Sequence, residues 1–327
     1  MLKISQTSQN AILHYLQKND YCTDKKINEA TFGFLNIPNR TKYFLKDLPF
    51  EENYKISHST LMSPYHNNEN IIEAFFDKLQ RVYGVGSRDI FYNTGKDDEV
   101  DKTLDTNEAQ VKVIKLFLLK KYSNMYNNFR KNYGKRVIEE TGNNICPYCY
   151  RSYISVIEAE TGKKSLTPDL DHFYPKSRYP FLAVTLSNLV PSCLLCNERA
   201  KNDQDFYKNS IYPPQKFFDE IEFDYDVYLN KIYIKNYKQL IIDPKYKIHL
   251  DTFLIQETYA THTEILQNII NKHKKYKQSK IQDLVKHTVG LSGTYVKKIV
   301  FYEYEYMNKK TELLYKLKKD LYEKIIK

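Results

Sequence analysis

The sequence predicts an α+β chain, predominantly helical, with one small strand-and-helix centre held by paired cysteines. Three observations predict it. Apolar side chains recur at helical spacing on both sides of the middle, two Cys-x-x-Cys pairs bracket a segment with strand-like alternation, and a second alternating segment follows. With 327 residues and 42% hydrophobic side chains the chain can bury a sizeable core, and 28% charged residues argues against wholesale disorder. The expected organisation is a mostly helical region over 1–105, a basic helix with the cysteine-bracketed centre over 106–210, and a hairpin with basic helices over 211–327.

In order along the chain, residues 68–83 predict a helix, because Ile72, Phe75, Phe76, Leu79 and Tyr83 share one face and Gly84 is placed to stop it. The polar stretch 93–107 predicts a loop or boundary. Thr106 can cap a helix running from about Glu108 towards Tyr133, with Ile114, Phe117, Leu118, Tyr122, Met125, Tyr126 and Phe129 as its apolar stripe. Residues 153–158 and 165–172 predict two strands around a turn at 161–164, and a helix is expected near Cys196 and Asn197. Residues 222–234 alternate like a hairpin turning near Asn230. The remainder predicts helices, the last with a stripe of Leu314, Leu317, Leu321 and Ile325 suited to packing or to a partner helix.

The net charge of +10 and pI of about 9.0 favour a polyanionic partner, since neutralising phosphates releases counterions. Residues 111–140 carry Lys112, Lys115, Lys120, Lys121, Arg130, Lys131, Lys135 and Arg136 against Glu139 and Glu140, and 261–327 holds fifteen lysines against seven acidic residues. A solvated helix face explains such charge equally well. The 30 tyrosines, with no tryptophan, match the codon bias of an AT-rich genome and are not read as base-stacking platforms. Gly84-Val85-Gly86 lacks the Gly-Lys-Ser/Thr ending of a phosphate loop. The N-terminus has no signal-peptide core and no apolar run approaches the ~18 residues of a membrane span, so a cytoplasmic chain without membrane contact is expected.

Cys146-Pro-Tyr-Cys149 and Cys193-Leu-Leu-Cys196 are two knuckles, each able to aim two thiolates at one ion from a single turn. Together they predict a closed tetrahedral Zn²⁺ site, structural because no coordination position stays open. In a reducing compartment metal binding is the better use of paired cysteines than a disulfide. Cys22 stands apart.

Between and beside the knuckles lie Leu170-Asp171-His172-Phe173-Tyr174-Pro175-Lys176-Ser177 and Leu186-Ser187-Asn188, with Asn197-Glu198-Arg199-Ala200-Lys201 following Cys196. Alone, His172 would be an ordinary satisfied histidine, Asn188 a turn residue and Asn197 a helix cap. Jointly, from Cys146 to about Asp203, they resemble the zinc-stapled form of the HNH (ββα-metal) nuclease family. The resemblance implies a ββα-metal core flanked by helical arms, His172 as general base, Asn188 holding the loop that faces it, and Asp171 with Asn197 as ligands of a catalytic cation. Asn197 stands where the family's last histidine is often replaced; oxygen donors there suit Mg²⁺ or Mn²⁺. Asp169, two residues from Asp171 on the same strand face, is an alternative ligand. Lys176, Arg178, Arg199 and Lys201 are candidate phosphate contacts, and double-stranded DNA the expected substrate. The run 171–177 also looks like the HNH subunits of prokaryotic phage-defence modules, including Septu-type systems that pair such a nuclease with an ABC-type ATPase. That likeness implies an ATPase partner subunit. The competing expectation is a non-catalytic zinc module that binds nucleic acid or a protein. The other seven histidines show no ligand spacing.

Overall fold

The computed structural model describes residues 65–100, 106–161, 165–209, 211, 214–287, 290–309 and 311–326; Cys22 and the reading of residues 1–64 lie outside the described residues. Within them the chain is mostly helical, with three two-stranded antiparallel sheets. The contacts gather into two compact units. One comprises residues through Gly142 with Ser155–Asn197 and Asn202–Lys208; the other comprises Asn143–Ile154, Glu198–Lys201 and Asn209–Lys327.

In the first unit, α1 (Tyr65–Tyr83) buries Ile72, Phe75, Phe76 and Leu79 completely. It ends where Gly84, at φ +90°, returns its N–H to Gln80 at 2.8 Å, a backbone that a residue with a Cβ rarely adopts. Phe75 packs edge-on to Phe91 of α2 (Ser87–Asn93) at 5.0 Å and stacks on Phe181 at 4.5 Å. Each fully buried ring contributes about 1.5–3 kcal/mol.

Helix α3 (Asn107–Thr141) is capped by the Thr106 hydroxyl, which accepts the Ala109 N–H at 3.2 Å. All seven residues of its expected stripe are buried. The helix runs past Tyr133 because Val137 and Ile138 continue that stripe and Arg136 pairs with Glu140 one turn on. Gly134 lies close to two side chains: a Cβ there would meet Arg130 Cγ at 3.2 Å and Leu170 Cδ1 at 3.7 Å.

The basic face expected of this helix is only partly solvated. Lys115 is 0% exposed, donates from Nζ to the Arg178 carbonyl at 3.2 Å and lies 4.3 Å from the centre of the Phe91 ring. Burial, reinforced by the Arg178 charge, lowers its pKa to about 7.

The two strands expected over 153–158 and 165–172 are cut down and re-paired. Only β1 (Ile157–Glu158) and β2 (Ser165–Leu166) form the first ladder, and Pro168, which has no N–H to donate, separates β2 from β3 (Asp169–His172). β3 pairs instead with β4 (Leu189–Ser192), in the register Asp169↔Ser192, Leu170↔Pro191, Asp171↔Val190, His172↔Leu189. Opposite Pro191, the Leu170 carbonyl takes its hydrogen from the Tyr126 hydroxyl at 2.8 Å, so no N–H is demanded of the proline. β4 leads through Cys193 into α4 (Leu195–Lys201), a helix of wide pitch in which the Asn202 N–H reaches Asn197 O, five residues back.

In the second unit, α5 (Phe217–Glu220) precedes the hairpin β5 (Phe223–Asp226) and β6 (Lys231–Ile234), whose turn carries Asn230 at φ +46°. Eight helices follow: α6 (Tyr237–Leu240), α7 (Pro244–Phe253), α8 (Ile255–Ala260), α9 (Thr263–Lys275), α10 (Gln278–Lys286), α11 (Gly293–Val300), α12 (Tyr302–Glu305) and α13 (Tyr315–Ile326). α13 buries Leu317, Leu321, Tyr322 and Ile326, and its Asp320 accepts the Phe223 N–H at 2.8 Å. The expected stripe thus packs internally, with Ile326 replacing Ile325 in the buried set and Leu314 standing before the helix at φ +57°. Among the described residues no helix is long and apolar enough to cross a membrane.

Lys115 makes stability depend on pH. The folded state holds this proton less tightly than the unfolded chain, so from about pH 7 up to the usual lysine range the unfolded chain binds more protons, and folding gains stability as pH rises. The difference in unfolding free energy between wild type and Lys115→Met, from urea titrations at pH 7 to 9.5, is expected to move in favour of wild type with rising pH. A pH-independent difference would contradict this.

Candidate metal centre and catalytic site

The first knuckle is a tight turn whose backbone is closed from within. Cys146 N–H donates to Ser152 O at 2.9 Å, Tyr150 N–H to Cys146 O at 2.9 Å, and Ile145 bridges Tyr153. Tyr150 takes φ +51°, reversing the chain directly after Cys149, and the Arg151 N–H donates to Cys149 Sγ at 3.4 Å. Such N–H···S bonds favour a thiolate over a thiol, because they stabilise negative charge on sulfur. The second knuckle joins β4 to α4, and the Asn197 N–H donates to Cys193 O at 3.0 Å.

The four sulfurs of Cys146, Cys149, Cys193 and Cys196 lie within 4.8 Å of one another; three of the residues are buried and Cys193 is half-buried. None is in a disulfide. A tetrahedral zinc with bonds of about 2.3 Å places its sulfurs about 3.8 Å apart, so the group fits one zinc ion with a small contraction. The donor set, four soft sulfurs, suits zinc rather than a hard cation.

The second cluster is built on β3. Strand alternation puts Asp169 and Asp171 on one face and Leu170 and His172 on the other. Asp171 and His172 are buried, at 3% and 7% exposure. His172 Nε2 lies 2.8 Å from the Ala183 carbonyl, which can only accept, so Nε2 carries a hydrogen and, in the neutral ring, Nδ1 carries the lone pair. The Tyr126 ring meets the imidazole edge-on at 4.3 Å.

Asn188 is fully buried and spends its carboxamide on the chain between the strands. Its Oδ1 accepts the Tyr174 N–H at 2.8 Å, and Nδ2 donates to Tyr174 O at 3.1 Å and Leu182 O at 3.2 Å. The loop that ends at Ala183 is thereby fixed against His172.

Asn197 donates its amide to Asp169 Oδ2 at 3.2 Å, and Arg130 of α3 reaches Asp169 Oδ1 at 3.2 Å. The carboxylate named as the alternative ligand is therefore the one in contact with Asn197. Lys176 is half-buried with Nζ 4.9 Å from the Tyr126 ring centre, and burial, then Arg130, lowers its pKa.

The remaining expected phosphate contacts fare differently. Arg199 is exposed. Arg178 is half-buried, with a buried Nε that has no hydrogen-bond partner among the described residues. Lys201 is only 1% exposed, on the inner side of α4. Arg130 and Tyr126 escaped notice because their helical spacing marks them as a basic face and a core stripe. Their contacts with Asp169 and His172 join positions about forty residues apart. Among the histidines with no ligand spacing, His249 is buried beside Tyr148 O at 3.2 Å and kept neutral by burial, which lowers its pKa to about 3; His262 Nε2 accepts from Arg151 Nε at 3.0 Å.

No protein-family model matches the chain, and no solved structure matches it. A segment of 84 residues is 37% identical to Septu protein PtuB of Bacillus thuringiensis, covering 26% of this chain and 29% of that protein. The chain thus matches less than a third of the length of this relative, and the similarity supports a link to Septu-type defence.

The metal centre gives a direct expectation. Purified chain should carry about one zinc, measured by elemental analysis, and Cys149→Ser should lose most of it. Stripping zinc with a strong chelator should lower the thermal unfolding midpoint, because binding free energy at such a site is folding free energy. A midpoint unmoved by complete zinc removal would refute the structural role.

Proposed function

We propose that this chain is a metal-dependent nuclease of the HNH (ββα-metal) type, hydrolysing phosphodiester bonds of DNA in prokaryotic defence, and that it works with an ATPase partner of a Septu-type system. The observation that carries the chemistry is the fixed tautomer of His172. With Nε2–H given to Ala183 O, the lone pair at Nδ1 is the nitrogen suited to take a proton. The order β3, β4, α4 and the cysteine group support the fold-type reading. The similarity to Septu protein PtuB supports the defence role.

In this reading His172 Nδ1 accepts a proton from water as its oxygen bonds to phosphorus. The bond to the 3′ oxygen breaks and that oxygen takes a proton from solvent water, leaving a 5′-phosphate and a 3′-hydroxyl. Asn188 contributes by keeping the 173–183 loop, and with it the imidazole, in one orientation. Asp171 and Asn197, with Asp169 beside them, are oxygen donors fit for Mg²⁺ or Mn²⁺. When bound, such an ion supplies Lewis-acid stabilisation of the leaving oxygen. Arg199 and Lys176 are the cations offered to the phosphate, and their charge is greatest in effect at low salt.

Supercoiled plasmid incubated with the purified chain and Mg²⁺ should be nicked. His172→Ala should lower the rate by about a hundredfold or more, the usual contribution of a general base. Asn188→Ala should lower it less while leaving zinc content unchanged. Equal nicking by wild type and His172→Ala would remove the histidine from the mechanism. No nicking by wild type, alone or with its ATPase partner, together with retained DNA binding would favour the non-catalytic zinc module.

A further inference from the structure

Three consecutive carbonyls of the first knuckle receive hydrogen bonds from distant parts of the chain. Tyr148 O lies 3.2 Å from His249 Nε2, 101 positions on. Cys149 O accepts the Tyr259 hydroxyl at 2.8 Å, 110 positions on. Tyr150 O accepts the Leu314 N–H at 2.7 Å. The turn itself has no regular ladder, and it holds a tyrosine in a left-handed backbone that bulky residues rarely adopt. Its carbonyls are buried, so each bond from outside replaces water that cannot reach them.

We infer that His249 of α7 and Tyr259 of α8 are positioning residues for the zinc site, setting metal affinity by holding the Cys146–Cys149 turn in its ligating shape before the ion arrives. Both are built as fixed donors. The Tyr259 ring is stacked on Phe223 at 4.6 Å and 13°, and the His249 ring on Phe217 at 4.0 Å and 21°. Each ring is stacked on a core phenylalanine outside the knuckle, so the hydroxyl and the imidazole N–H are presented to the turn by the unit's own core. With the turn already ordered, zinc binding does not bear the entropy of ordering it. Partners one step removed from metal ligands typically change affinity by 10–100-fold. Nothing in the local sequence around the knuckles signals either residue.

The inference rests on the four thiols sharing one zinc, and the test separates the two. Full-length chain is loaded with zinc and titrated with a chromophoric chelator, and the cobalt-substituted form is read by its thiolate-to-cobalt absorption. Tyr259→Phe deletes one hydroxyl and keeps the stacked ring. Tyr322→Phe is the control: its residue is likewise buried, and its hydroxyl donates to Glu305 at 2.9 Å. Tyr259→Phe should bind zinc at least about tenfold more weakly and alter the cobalt spectrum, while Tyr322→Phe matches wild type. Equal affinity in wild type and Tyr259→Phe, or the same loss in Tyr322→Phe, overturns the proposal alone. A wild type that binds no zinc overturns it together with the metal reading. Should Tyr259→Phe fail to fold, His249→Gln, which retains a donor, should keep zinc better than His249→Phe; equal loss in those two overturns it.

Discussion

The carboxamide of Asn188 is the constraint on which the β3–β4 region depends. Sixteen residues separate His172 from Leu189, too many for a tight hairpin and without a regular ladder of their own. A buried amide with one acceptor and two donors can serve three backbone groups at once, and here it serves Tyr174 twice and Leu182 once. The 3₁₀ turns at Pro180–Leu182 and Leu186–Asn188 then close on each other, and Ala183 presents its carbonyl to the imidazole. Take the amide away and three buried polar groups lose partners together, a larger penalty than the loss of any single bond.

Tyrosine has a comparable role. The 30 tyrosines invite explanation by codon bias, yet many of those in the core carry a hydroxyl that ends on a buried or half-buried acceptor. Tyr126 ends on Leu170 O, Tyr174 on Glu69, Tyr179 on Asp205 and Tyr259 on Cys149 O. A chain with so much irregular backbone between short strands has many carbonyls with no ladder partner. A phenol satisfies them from within an aromatic core where phenylalanine could not.

What was legible in the sequence is what local spacing encodes. The stripes of α1 and α3, the cap at Thr106, the hairpin at Asn230 and the sulfur group all follow from residues close in sequence or from a ligand pattern with few alternatives. Pairing across distance was not legible. β4 was not expected: it carries Pro191, and nothing local shows that Tyr126 satisfies the Leu170 carbonyl opposite it. Lys115 reads as part of a solvated basic face and Lys201 as a phosphate contact, because nothing in their neighbours announces that the fold encloses them. At the site, the resemblance pointed to Asp171 with Asp169 as the alternative, and the contact of Asn197 with Asp169 emerged only from the way α4 follows β4 beside β3.

The close approach at Gly134 bears on the Arg130–Asp169 pair. Arg130 precedes it by one helical turn, and the space a methyl would fill is bounded by the arginine's own stem and by Leu170, the neighbour of Asp169. A methyl there would touch Leu170 at an ordinary contact distance but crowd the stem that carries the guanidinium. The freedom of that stem to reach its carboxylate is set one helical turn beyond it, by the smallest residue a helix can carry.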